Sequence, residues 1–307
     1  MLYQSYIIGV VITGCVLSFY PYFSNMLSKD VEVKRNLTDT FLDESTLWIY
    51  YDQSDVNSRW WADFGARSSR VIHTPYLNLC YESIAKNMGY NYKIRVIAGL
   101  SDLAILLGGW EELPKPLRNP LAHVGPAEYD YIRAAILEKF GGLWVSPSTI
   151  FLKPLPNYST YAKVVLFGID KDETYTSTHP GTQLMYSPRP NHPFFVEWCK
   201  KAYTTIENQI GGRQFSSSTL LTLFEKYKSS TLHVHDIELS RKSSGRRIQI
   251  EDLLSSGAYI ESTGFVYVPI DRHELELRSA YAWFLRMSET QILESDLAIS
   301  ELFRKAN

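Results

Sequence analysis

Residues Asp130–Leu155, DYIRAAILEKFGGLWVSPSTIFLKPL, decide how this chain is read. Ile132, Ala135, Ile136 and Phe140 recur at helical spacing, which predicts a helix over Tyr131–Phe140 with one apolar face. Gly141-Gly142 ends it, since glycine takes the left-handed backbone that closes a helix without steric cost. Leu143-Trp144-Val145 then resumes as a buried strand and runs into a polar loop, Ser146-Pro147-Ser148.

The flanking sequence repeats this alternation. Leu47-Trp48-Ile49-Tyr50-Tyr51 is a β-prone apolar run ending at Asp52-Gln53-Ser54, the pattern of a buried strand delivering a polar loop at its carboxyl end. In open α/β sheets that edge is where ligands bind. Pro75–Met88 carries Leu79, Ile84 and Met88 at helical spacing with Gly89 as a stop, and Tyr92–Ile97 alternates like a strand. Further along, Val164–Phe167 reads as a strand, Phe194–Ile206 as a helix opened by His192-Pro193, and Ser218–Tyr227 as a helix. Thr231–Ile237 reads as a strand and Glu289–Ala306 as one amphipathic helix. Strands alternating with helices predict an α/β sandwich.

With 307 residues, 45% hydrophobic and 21% charged, the chain is long enough for one large globular domain and is neither disordered nor fibrous. A net charge of -2 from 31 basic and 33 acidic residues gives no global field for nucleic acid, so recognition by charge has to be local. Cys15, Cys80 and Cys199 are too few and too scattered for a disulfide framework or a metal motif, and read as buried free thiols. Tyr6–Phe23, YIIGVVITGCVLSFYPYF, has no charged side chain and approaches the roughly 20 residues a membrane-spanning helix needs. Residues 1–28 are therefore expected to be a single-pass membrane anchor, 29–45 a polar stem and 46–307 the globular domain. Lys29, Lys34 and Arg35 favour a cytoplasmic domain, whereas the sequons at Asn36 and Asn157 fit a lumenal one, so the side of the membrane stays open.

The block Asp130–Leu155 resembles the capsular polysaccharide synthesis type of glycosyltransferase, related to glycosyltransferase family 32. There Asp-x-x-Arg opens a helix, Tyr/Phe-Gly-Gly ends it, and a strand runs into an Asp-x-Asp or Asp-Ala-Thr motif followed by Lys-Pro-Leu. Asp130, Arg133, Phe140-Gly141-Gly142, Trp144 and Lys153-Pro154-Leu155 match in order and spacing. Weaker likeness covers Trp48–Tyr51, Asn78–Tyr92 and Tyr186–Trp198. The resemblance implies a GT-A-like (Rossmann-like) mixed sheet flanked by helices, which on the reading of Tyr6–Phe23 is preceded by one N-terminal transmembrane helix. It implies an enzyme that moves a sugar from a nucleoside-diphosphate donor to a glycan acceptor at a membrane, and the near-zero net charge adds the expectation of no nucleic-acid partner. The nucleotide-sugar set it carries over is Tyr50, Asp130, Arg133, Gly142, Trp144, Ser146 and Ser148. Asp130 would hydrogen-bond the donor sugar, and Arg133 would pair with a phosphate or fix a catalytic carboxylate.

One departure bears on the chemistry. Charge growing on leaving phosphates is commonly met by Mn²⁺ or Mg²⁺ on carboxylate oxygens, but here the Asp-x-Asp positions are Ser146 and Ser148, whose neutral hydroxyls hold such ions far more weakly. Three other features offer the missing charge or ligands. Asp170-Lys171-Asp172 spells Asp-x-Asp but comes too late in the chain. Arg241, Lys242, Arg246 and Arg247 form a basic loop that could meet phosphate, or simply be solvated. His233 and His235 alternate on a predicted strand beside Asp236 as weak metal candidates, and His273 is unplaced. Asp130 itself has a plain structural alternative as N-cap of its helix, with Arg133 as an internal ion-pair partner. The competing functional reading is a catalytically degenerate transferase fold kept as a structural, scaffold or glycan-binding protein.

Overall fold

The computed structural model describes residues 46–52, 74–155, 158, 162–171, 178–208, 217–234, 248–257, 260 and 266–307. All lie in one unit, Asp43–Asn307. The expected anchor and stem, the sequon asparagines Asn36 and Asn157, His235, Asp236, Asp172 and the basic loop Arg241–Arg247 fall outside the described residues. No helix among the described residues is long and apolar enough to cross a membrane.

In chain order the first elements are β1 (Thr46–Tyr51), α1 (Tyr76–Met88), β2 (Lys93–Ala98), α2 (Gly99–Leu107), α3 (Pro126–Phe140), β3 (Gly142–Val145), β4 (Thr149–Phe151) and β5 (Val164–Phe167). They continue with β6 (Ile169–Lys171), β7 (Thr178–Pro180), β8 (Leu184–Ser187), α4 (Pro193–Glu207), α5 (Ser217–Lys226) and β9 (Thr231–Val234). The C-terminal part adds α6 (Ile250–Leu253), β10 (Tyr267–Pro269), α7 (Arg272–Leu277), α8 (Glu289–Glu294) and α9 (Ala298–Ala306).

Six strands form one mixed sheet in the order β2-β1-β3-β8-β5-β9, flanked by helices. β1 pairs in parallel with β2 along its whole length and with β3 on its other side, and β5 pairs in parallel with β9. β8 alone runs antiparallel to both of its neighbours, β3 and β5. Parallel strands covered on both faces must be apolar throughout, which is why β1, β3 and β5 read as unbroken apolar runs. On one face Leu47, Ile49, Leu143 and Val145 pack with Ile84 and Met88 of α1. On the other, the Trp48 ring lies 5.2 Å from that of Phe140 on α3. A second cluster joins the amino end of α1 to the C-terminal helices, burying Tyr76, Leu79 and Cys80 against Phe284, Ile299 and Phe303. Each such large side chain removed from water contributes about 1.5–3 kcal/mol.

Two expectations are corrected. The helix before the glycines begins at Pro126, not Tyr131: proline suits the first helical position, and Glu128 Oε2 accepts from the Gly125 N–H at 3.1 Å to close the helix start. The expected helix Glu289–Ala306 is two helices, because residues 295–297 leave the helix to pair with 255–257. There the Gly257 N–H donates to Asp296 O at 3.2 Å and the Ala298 N–H to Ser255 O at 3.1 Å. The sheet also holds β8, with β4 and β10 pairing beside it, and none of the three was expected.

His192 opens α4 as expected, its Nδ1 accepting from the Phe194 N–H at 3.3 Å. The acceptor must be neutral imidazole. Burial, and secondarily the charge of Arg189, holds its pKa below the usual value of about 6.5. A depressed histidine leaves stability intact above its unfolded pKa and removes it as pH falls through the folded one. Thermal melts are therefore expected to lose stability as pH drops below about 6.5, and His192→Asn, which still caps, to lose less of it.

Candidate functional site

The tight Gly141-Gly142 turn reverses the chain, so α3 runs antiparallel to β3 and β1. Two contacts fix that alignment. At one end Trp48 Nε1 donates to Gly141 O at 3.0 Å. At the other, the Tyr129 ring meets Tyr50 edge-on with centroids 5.4 Å apart. The first turns of α3, carrying Tyr129, Asp130 and Arg133, therefore sit beside the carboxyl end of β1, the edge at which β3 delivers Ser146. This is the ligand edge of an open α/β sheet.

Arg133 is the hub. Its Nε donates to Tyr129 O at 3.3 Å and stands 3.6 Å from Asp130 Oδ1, while Nη1 donates to Thr182 O. The two side chains are 10% and 15% exposed, so the pair is largely withdrawn from water and carries more weight than a surface salt bridge. The next residue along, Gln183, accepts from the Ser146 N–H at 2.8 Å. Thr182-Gln183, leading into β8, thus ties Asp130 and Arg133 on one side to the loop after β3 on the other. Asp130 lies in the second turn of α3 and is not its N-cap, whereas the Asp130–Arg133 ion pair is present.

The remaining sequence-derived residues are distributed unevenly. Gly142 is at the amino end of β3, away from Ser146, with φ +90° and a Cβ position 2.5 Å from Thr46 O; the structure gives it a packing role. Trp144 is 1% exposed within the sheet, and Tyr50 is fully buried beneath Tyr129. The Ser146 and Ser148 hydroxyls are 3.3 Å apart. Ser148 is 1% exposed, and its Oγ donates to Ile270 O at 2.8 Å. Of His233 only the backbone, on β9, is described. Burial pushes the Cys80 and Cys199 thiols up, so both stay protonated and neither suits a nucleophile's role.

The loop does not fit a divalent cation. Mn²⁺ and Mg²⁺ need hard, preferably anionic oxygen, and the loop offers two neutral hydroxyls, one of them facing a carbonyl oxygen to which it already donates. Among the described residues no group of three or more His, Cys, Asp or Glu side chains is placed to hold a metal ion. Thr182, Gln183 and Ile270 were not anticipated from sequence. They act through main-chain carbonyls, which every residue type possesses.

The sequence matches no family model and no curated protein. Among solved structures, one described as a transferase mutant aligns over 62% of this chain and 87% of its own, at 15% identity and a TM-score of 0.26.

Proposed function

We propose that the domain is of the GT-A glycosyltransferase type and binds a nucleoside-diphosphate sugar at the carboxyl edge of β1 and β3. It would pass the sugar to a glycan acceptor at a membrane. The observation carrying this reading is the junction in which Arg133, paired with Asp130, reaches Thr182 while Ser146 reaches Gln183. Supporting it are the sheet order, with parallel β2-β1-β3 next to antiparallel β8, and the motif order from Asp130 to Leu155.

In such a transfer the bond from the sugar's anomeric carbon to the donor phosphate breaks, and the diphosphate leaves with the electron pair. The acceptor hydroxyl bonds to that carbon, and its proton passes to the departing diphosphate or to water. Leaving-group charge can be met by guanidinium or ammonium groups in place of a metal ion. Arg133 organises the edge, and the basic run Arg241–Arg247 is the proposed phosphate partner.

A second reading, a degenerate fold acting as a scaffold or glycan-binding protein, is favoured by one observation: the Ser148 hydroxyl is spent inside the protein. Calorimetry on the full-length chain in detergent separates the two, titrating UDP, GDP, ADP and CDP once in EDTA and once in Mn²⁺. The transferase reading expects at least one of them to bind in EDTA. It also expects alanine at Arg241, Lys242, Arg246 and Arg247 together to weaken that binding at least tenfold, about 1.4 kcal/mol. If none binds under either condition, the transferase reading falls and the scaffold reading stands.

A further inference from the structure

The two serines of the loop are not equivalent, and their difference reaches beyond whether a nucleotide binds. β4 and β10 pair antiparallel, with Phe151 opposite Tyr267, Ile150 opposite Val268 and Thr149 opposite Pro269. The next position in that register sets Ser148 opposite Ile270. There the Ile270 N–H donates to Ser148 O at 2.8 Å, and Ser148 Oγ donates back to Ile270 O at 2.8 Å. Both main-chain groups of Ile270 are thus satisfied by one residue, immediately before Asp271 caps α7 by accepting from the Glu274 N–H at 2.9 Å. Pro269 has no N–H to lend the ladder, which makes this last pair the one that sets where β10 ends and α7 begins.

We infer that Ser146-Pro147-Ser148 is a hydrogen-bonded clasp closing the β4–β10 pair, not a worn-down cation loop. Position 148 requires a small hydroxyl donor, and the loop takes no divalent cation. An aspartate at 148 would bring an ionised, acceptor-only group against the Ile270 carbonyl oxygen at a site 1% exposed, so it would be repelled and stripped of water. Ser146 is half-buried, and among the described residues its side chain bonds only to Ser148, so a carboxylate there can turn to solvent. A two-aspartate loop is therefore incompatible with this closure, whereas one aspartate at 146 is tolerated.

The test uses the full-length chain and Mn²⁺ alone, followed by the electron paramagnetic resonance of the free ion, with thermal melts of each variant. No nucleotide is present, so the outcome is separate from that of the nucleotide titrations. Native protein and Ser146→Ala are expected to leave the Mn²⁺ signal equally unchanged. Ser146→Asp should melt within about 2 °C of native, Ser148→Ala a few degrees lower, and Ser148→Asp lower by on the order of 10 °C or failing to fold. Micromolar Mn²⁺ uptake by the native chain that Ser146→Ala abolishes would overturn the inference. So would a Ser148→Ala or Ser148→Asp protein as stable as native.

Discussion

Gly142→Ala is expected to cost roughly 3 kcal/mol or more and to lower the melting temperature by on the order of 10 °C. Two independent penalties coincide there. A φ of +90° is a backbone conformation that L side chains rarely adopt, so any Cβ brings strain of about 1–2 kcal/mol. That Cβ would also sit 2.5 Å from the Thr46 carbonyl oxygen and 3.2 Å from Trp48 Nε1. The oxygen belongs to β1, which is hydrogen-bonded on both sides and cannot swing away, and Trp48 is pinned through its bond to Gly141 O. Relief requires prising β3 from β1 at the centre of the sheet. Gly257→Ala is the control: its φ is +65°, yet no atom of the described residues lies within 4 Å of the added carbon, so the conformational cost of about 1 kcal/mol is what is expected. Urea titrations of the two variants measure the difference directly. Equal losses would mean that β3 and β1 do not approach as closely as the geometry states.

The same glycine shows what the sequence could and could not convey. That Gly141-Gly142 ends a helix and admits a strand was legible from local chemistry, as were β1, β5 and α1, whose apolar patterns span four or more residues. Illegible were elements whose pattern is short or whose reason is distant. β4 and β10 have three residues each, too few for a period to register, and exist because they pair with each other across more than a hundred residues of chain. β8 enters the sheet antiparallel between β3 and β5, a choice written in no local propensity. The C-terminal helix breaks at Ser295 because residues 255–257 supply the pairing, and periodicity within 289–306 carries no sign of it.

The candidate site divides along the same line. Asp130 and Arg133 could be picked out by motif, and their ion pair follows from i,i+3 spacing on a helix. That they connect to Ser146 could not, since the link runs through the carbonyls of Thr182 and Gln183. Nor could sequence separate Ser146 from Ser148, because the difference is a hydrogen bond to a residue 122 positions away. Residue type marks which side chains are unusual. Their inequivalence comes from main-chain groups that the topology brings alongside.

Arg133→Met is the second large effect expected, with a loss of about 2–4 kcal/mol in stability and a loss of any nucleotide affinity held at the edge. Methionine fills much of the volume but donates nothing, so the carbonyls of Tyr129 and Thr182 lose the guanidinium and Asp130, 15% exposed, loses its positive neighbour. Withdrawing one member of a largely buried pair costs more than the pair is worth, because the other charge stays behind. Asp130→Asn should therefore be the milder change, since the guanidinium keeps both carbonyls. Arg133→Lys should fall between: an ammonium can reach one of these acceptors but lacks the planar fork that spans Tyr129 O and Thr182 O together. The readouts that isolate the junction are urea denaturation for stability and limited proteolysis at Thr182-Gln183 under native conditions. If only folding depended on Arg133, the lysine variant would regain native proteolytic resistance in step with its stability. If Arg133 also positions the edge, cleavage at Thr182-Gln183 should stay faster in Arg133→Lys than in a variant altered elsewhere whose urea midpoint matches it. Native resistance in Arg133→Met would remove the arginine from that role.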